Sequence, residues 1–218
     1  MGGNNDLDRH GLPQRPDPFT GLPRPPQAPM RGARTRDWER DDALANAPDP
    51  PPGEGPVLAW YRGSWLVVAM YGGIGLAVNL LVLWAAEGFN FRWLGQWWAW
   101  PAVAVIVSFA AMAGLAQRTG LQCWAGAEWA ATRRGWVRTY ELTEIEIRPA
   151  RQYTYLSLRD QDGRHAAFLL SSVLRDGLLW DLVYNGILHS VVESGAYVDT
   201  GTRERLRLPT EDDRADAD

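Results

Sequence analysis

Three histidines, one cysteine, a Ser-Ser pair and a group of arginines are the side chains of this 218-residue chain whose chemistry needs weighing first. His10, His165 and His189 stand far apart with no ligand spacing, so no metal site is expected. Cys123 has no partner for an intramolecular disulfide and reads as a small buried hydrophobe rather than a nucleophile. Ser171-Ser172 lacks the Gly-x-Ser-x-Gly frame of a nucleophile elbow and fits a helix N-cap better. All 22 basic residues are Arg, and the missing lysine removes Walker-type phosphate loops, the usual kinase design and Schiff-base chemistry. No glycine-rich nucleotide loop is present. The expectation is a non-enzymatic protein with no cofactor.

What remains is charge. Arg133, Arg134 and Arg138 fall on one predicted strand hairpin, and Arg148 and Arg151 flank the next loop. Five guanidinium groups on one side of a small domain would suit an anionic lipid headgroup or an acidic partner protein, at roughly 1 kcal/mol each beside a charged surface. The plainer reading is that they are solvated strand and turn residues.

These arginines must be positioned by what surrounds them. Near the middle of the chain Trp65–Ala86 and Trp97–Ala116 are two apolar stretches without a charged residue. At ~1.5 Å per residue, about 20 residues match a ~30 Å hydrocarbon core, which predicts a two-helix transmembrane hairpin over 57–118, with spans at 65–86 and 97–116. Arg34, Arg36, Arg40 and Arg62 on one flank and Arg118, Arg133, Arg134 and Arg138 on the other predict a cell-membrane protein with both termini cytoplasmic. Phe89, Phe91, Trp93, Trp97, Trp98 and Trp100 would form an interfacial aromatic belt. Small residues four apart, Gly73 with Ala77, Gly75 with Asn79 and Ala110 with Gly114, mark a packing face within the hairpin or between copies, so a homo-oligomer is an option.

Beyond the second apolar stretch the period changes. Glu128–Thr132 reads as a short strand and Arg133–Gly135 as a turn. From Tyr140 to Ile147 apolar and polar residues alternate with one slip at Thr143-Glu144. Tyr153–Arg159 and Arg164–Leu170 pair across an Asp162-Gly163 turn. Leu174 to about Ser194 is helical, with Trp180, Val183, Ile187 and Val191 on an apolar face and Asp181, Asn185, His189 and Glu193 opposite; Gly195 is its stop. The fold class is therefore α+β: two membrane helices, then an antiparallel sheet or partial barrel over 122–198 capped by one amphipathic helix.

Residues 1–56 hold most of the prolines and few aliphatic residues, which predicts a disordered tail, as does the acidic composition of 199–218. Within the first tail Gly11-Leu-Pro-Gln-Arg-Pro16 is echoed by Gly21-Leu-Pro-Arg-Pro-Pro26. Such a pair could serve as a repeated polyproline ligand, although chance repetition in a low-complexity tail is the simpler reading. The basic cluster Arg31–Arg36 is followed at once by Asp37, Glu39, Asp41 and Asp42, which argues against a nucleic-acid arm.

The run from Ala125 through Arg133-Arg-Gly-Trp-Val-Arg-Thr-Tyr-Glu-Leu142, the strand hairpin after it, and Leu179-Trp-Asp-Leu-Val-Tyr-Asn-Gly-Ile187 resemble the bacterial pleckstrin-homology-like domains that follow a two-helix membrane hairpin in actinobacterial membrane proteins. The resemblance covers roughly Trp65–Ala196. It implies a scaffold or binding module for a lipid or for a membrane or cytoplasmic protein, or, alternatively, an accessory subunit of a transport, secretion or envelope-synthesis complex. Only four or five of the seven strands of such a domain are readable here.

Overall fold

A computed structural model describes residues 12–30, 44, 47–86, 95, 97, 99–120, 122–150 and 153–209. The chain divides into two compact units, one of residues 1–61 with 122–218 and the other of residues 62–121.

The first unit is built on two four-stranded sheets. In one, β1 (Ala59–Tyr61), β2 (Cys123–Ala125), β3 (Trp129–Thr132) and β4 (Gly135–Arg138) lie in sequence order, each antiparallel to the next. In the other, β5 (Leu142–Ala150), β6 (Tyr153–Asp160) and β7 (His165–Leu169) form an antiparallel meander, and β8 (Tyr197–Val198) joins β5 in parallel. The slip read at Thr143-Glu144 is a register shift between Leu142 and Glu144 in the β5–β6 ladder. It lets Leu142 and Ile145 both turn inward, at 1% and 0% exposure.

The sheets enclose a core of Val137, Leu142, Ile145, Leu156, Leu158, Phe168 and the closing helix. That helix is divided. A short α3 (Leu170–Arg175) ends at Asp176, whose carboxylate accepts the Leu178 and Leu179 N–H groups and starts α4 (Gly177–Glu193). Ser171 and Ser172 lie inside α3 rather than capping it. Gly195 has φ +66° just past the end of α4, the left-handed geometry that suits a glycine stop. In the segment expected to be an acidic tail, α5 (Thr200–Leu206) starts on an Asp199 N-cap and buries Leu206.

The second unit holds two helices, α1 (Trp65–Ala86) and α2 (Ala99–Gly120), of 22 residues each. Among the described residues no helix is long and apolar enough to cross a membrane. The expectation of two membrane spans, and the cell-membrane localisation drawn from it, is corrected accordingly. The fold class is corrected too: the chain has five described helices and two sheets of four strands, with β1 placed before the helix pair, rather than two spans followed by one small sheet. Most of the expected aromatic belt lies outside the described residues; of it, Trp97 and Trp100 are exposed. Leu66, Met70, Ile74, Val78, Leu81, Val82, Phe109 and Met112 all turn outward from the helix pair.

Between α1 and α2 the small residues do what close packing requires. A Cβ on Gly75 would come within 2.5 Å of the Ala110 Cβ, and one on Gly114 within 2.8 Å of the Val68 Cα. Gly73 has open space around it and Ala77 is exposed, so the contact face runs through Gly75, Asn79, Ala110 and Gly114.

One buried charge organises the turn between β6 and β7. Asp160 accepts the Arg138 N–H at 3.1 Å, the Asp162 and Arg164 N–H groups at 3.1 and 3.0 Å, and the Arg164 guanidinium at 2.7 Å. Asp160→Ala leaves several donors without an acceptor and is expected to cost about 3 kcal/mol, with Asp160→Asn costing less. Urea unfolding followed by tryptophan fluorescence checks this.

Candidate binding surfaces

The arginines singled out in the sequence divide sharply. Arg133 and Arg134 sit at the exposed tip of the β3–β4 hairpin, where the Arg134 N–H donates to the Thr132 hydroxyl at 3.3 Å. Among the described residues neither guanidinium is held in an ion pair. Arg138, at the far end of β4, is committed to the chain's own carboxylates: its Nε lies 2.8 Å from a Glu54 carboxylate oxygen and its Nη1 3.6 Å from Glu141. Arg148 is paired with Glu146. Arg151 lies outside the described residues. The predicted five-arginine surface reduces to the Arg133-Arg134 tip, with Arg164 nearby in the same fold stacked over the Trp136 ring at 4.1 Å.

A second surface has no forewarning in the helix periodicity. The polar side of α4, expected to face water, is buried: Asp181 is 5% exposed, Asn185 2% and His189 0%. Part of the cover is the proline-rich segment itself. The His189 Nε2 is 2.7 Å from the Pro13 carbonyl oxygen, Asp181 accepts the Ala28 N–H at 2.9 Å, and the Trp180 indole N–H donates to the Pro29 carbonyl at 2.6 Å. Arg15 pairs with Glu193 and stands 4.9 Å over the Tyr140 ring. Leu12, Pro16, Pro25 and Ala28 are buried. This strap, residues 12–30, thus runs antiparallel to α4 from Glu193 back to Trp180, roughly 20 Å of helix.

Between its two ends the strap turns back on itself. Asp17 accepts the Thr20 and Phe19 N–H groups, and the Gly21 N–H donates to the Asp17 carbonyl at 2.8 Å. The first Gly-Leu-Pro element therefore docks through Leu12, Pro13 and Arg15, while Leu22 of the second is 58% exposed. A further stretch of the N-terminal region is tied down by the Trp129 indole, which donates to the Gly55 carbonyl at 3.1 Å, and by the Glu54–Arg138 pair. These contacts replace the disordered tail expected for 1–56 wherever that region is described. Composition does not reveal them because the segment contributes backbone groups and small side chains rather than a core of its own. The repeated six-residue element is the one signal that could have.

Burial pushes the Glu193 carboxyl up, but the hydrogen bonds and charges of His189 and Arg15 outweigh it and hold the group below the ordinary Glu value. A depressed carboxyl contributes above its unfolded value and is lost as pH falls through its folded one. The strap is therefore expected to be protected from protease at neutral pH and to become cleavable below about pH 4. Glu193→Gln is expected to lessen that pH dependence, leaving the part carried by Asp17, whose carboxyl the Thr20 and Phe19 hydrogen bonds also hold down.

Cys123 is buried, and burial together with nearby Asp176 pushes its thiol up, which leaves it unreactive at neutral pH. Among the described residues no cluster of His, Cys, Asp and Glu could hold a metal ion. Comparison with protein families, curated proteins and solved structures finds no match to the chain.

Proposed function

We propose that the chain is a non-enzymatic binding module whose two-sheet domain, of the pleckstrin-homology-like kind its sequence resembles, recruits an anionic lipid headgroup at the Arg133-Arg134 tip. The observation that carries this reading is selective neutralisation. Arg138 and Arg148 are matched by the chain's own carboxylates, whereas the adjacent pair at the hairpin tip stays exposed and unpaired among the described residues. In a chain of formal net charge −4, two bare neighbouring guanidinium groups form a local positive feature that nothing in the domain requires.

The test is the preference of the full chain for vesicles containing anionic lipid over neutral vesicles, so that any attraction of the apolar helix pair cancels. Arg133→Gln with Arg134→Gln is expected to lower that preference about thirtyfold at low salt, from about 1 kcal/mol per arginine. High salt is expected to erase it. A wild-type chain indifferent to anionic lipid would overturn the lipid reading and favour an acidic protein partner.

A second reading, an accessory subunit of a transport, secretion or envelope-synthesis complex, is favoured by the outward apolar side chains of α1 and α2. Exchanging residues 62–121 for an unrelated helix pair separates the two. Partners held through the two-sheet domain survive the exchange, and those held through the helices do not.

A further inference from the structure

We propose that the face of α4 between Trp180 and Glu193 is a binding groove for an arginine-bearing, proline-rich peptide, and that residues 12–30 occupy it in cis, so that a partner segment of this chemistry docks when the strap is released.

Three features set this contact apart from ordinary core packing. First, the groove reads the backbone of its occupant: an indole, a carboxylate and an imidazole, from Trp180, Asp181 and His189, each meet a main-chain group of the strap. Recognition through carbonyl and amide groups fits extended segments generally, and proline-rich ones lose little further freedom on docking. Second, specificity is concentrated at one end. Arg15 pairs with Glu193 and stacks on Tyr140, whose ring lies 5.2 Å from His189. Third, the strap buries few side chains, Leu12, Pro16, Pro25 and Ala28, and the large aromatic ones, Trp180 and Trp129 among them, belong to the domain. An occupant needs a Leu-Pro step, an arginine two residues after the proline, and a backbone N–H and carbonyl further along. The strap's second element, Gly21-Leu-Pro-Arg24, places its arginine directly after the proline and leaves Leu22 exposed, so it lacks the spacing that brings Arg15 to Glu193.

The experiment uses the full chain carrying an engineered protease site within residues 33–44, cut after folding. The probe is a fluorescent synthetic peptide of residues 11–30. Cut protein is expected to exchange its strap for labelled peptide, while uncut protein takes up the peptide at least about tenfold more weakly because the tethered strap competes at high effective concentration. Replacing the arginine at position 15 of the peptide with Ala, or Glu193→Gln in the protein, is expected to weaken uptake about tenfold, as loss of a charge-assisted pair does. Circular dichroism and tryptophan emission follow the fold throughout. Loss of the fold when the strap leaves would show an integral core segment and overturn the proposal. Retention of the fold with no exchange would overturn it as well, and so would dimers formed by strap exchange without peptide uptake.

Discussion

Replacing residues 62–122 with an Asn-Gly turn is expected to leave a domain that folds cooperatively and stays monodisperse in plain buffer. Tyr61 and Cys123 are direct partners in an antiparallel pair, so the chain leaves β1 and re-enters β2 at neighbouring positions. A two-residue turn of the type that matches strand twist can close that gap. The whole compact unit 62–121 is, topologically, an insertion into a hairpin loop. Domains tolerate changes at such points because no core contact is severed. In the intact chain the outward Leu66, Ile74, Leu81, Val82 and Phe109 form an apolar surface far larger than isolated residues present. The intact chain is therefore expected to self-associate in plain buffer. Size-exclusion chromatography with light scattering, and thermal unfolding of the shortened chain, check both halves. Failure of the shortened chain to fold would mean that the helix pair contributes to the stability of the two-sheet domain.

The second large effect concerns Trp180. Its ring is fully buried, tilted against Tyr184 at 5.5 Å, and its indole N–H donates to the Pro29 carbonyl. Trp180→Ala removes most of a large side chain from a site closed on every side, and such truncations cost about 3–5 kcal/mol. That is a large share of the stability of a domain this size, so a substantial unfolded fraction is expected at 37 °C. Trp180→Phe keeps most of the volume but deletes the donor. It is expected to cost about 1–2 kcal/mol and to raise protease cleavage near Pro29 before the domain itself unfolds. Equilibrium denaturation together with limited proteolysis distinguishes the two variants. Equal effects on strap and core would mean that the indole hydrogen bond has no special part in holding the strap.

Where sequence reasoning worked, one strand or turn carried enough residues to show its own period. The β5 slip at Thr143-Glu144, the Asp162-Gly163 turn and the Gly195 stop are all local signals, and the structure places a register shift, a φ of +77° and a φ of +66° at those points. It failed where the deciding contact is remote. Ala59–Tyr61 is too short to alternate and becomes a strand only because β2 lies beside it. Asp181 and His189 have the spacing of a solvated helix face, yet they are buried beneath a segment more than 150 residues away in the chain. The helix over 200–206 was hidden in an acidic composition, although Asp199 is an ordinary N-cap and the Thr202 hydroxyl oxygen accepts the Ile147 N–H at 2.8 Å. Of the candidate site, the Arg133-Arg134 tip was legible from the turn alone. The pairing of Arg138 with Glu54 was not, because the two are 84 residues apart.

The division of the first sheet also has a consequence for how the protein is made. A ribosome delivers β1 and the strap first, but β2 follows only after the entire helix pair, and α4 emerges near the end. The contacts that tie the N-terminal region to the rest of its unit, such as Tyr61 with Cys123 and Pro13 with His189, must wait for partners not yet synthesised. Such long-range closure makes folding slow and leaves early segments exposed in the meantime. A proline-rich segment is well suited to that interval. It lacks many of the amide donors that helices and strand ladders need, so it resists forming the wrong structure until α4 arrives.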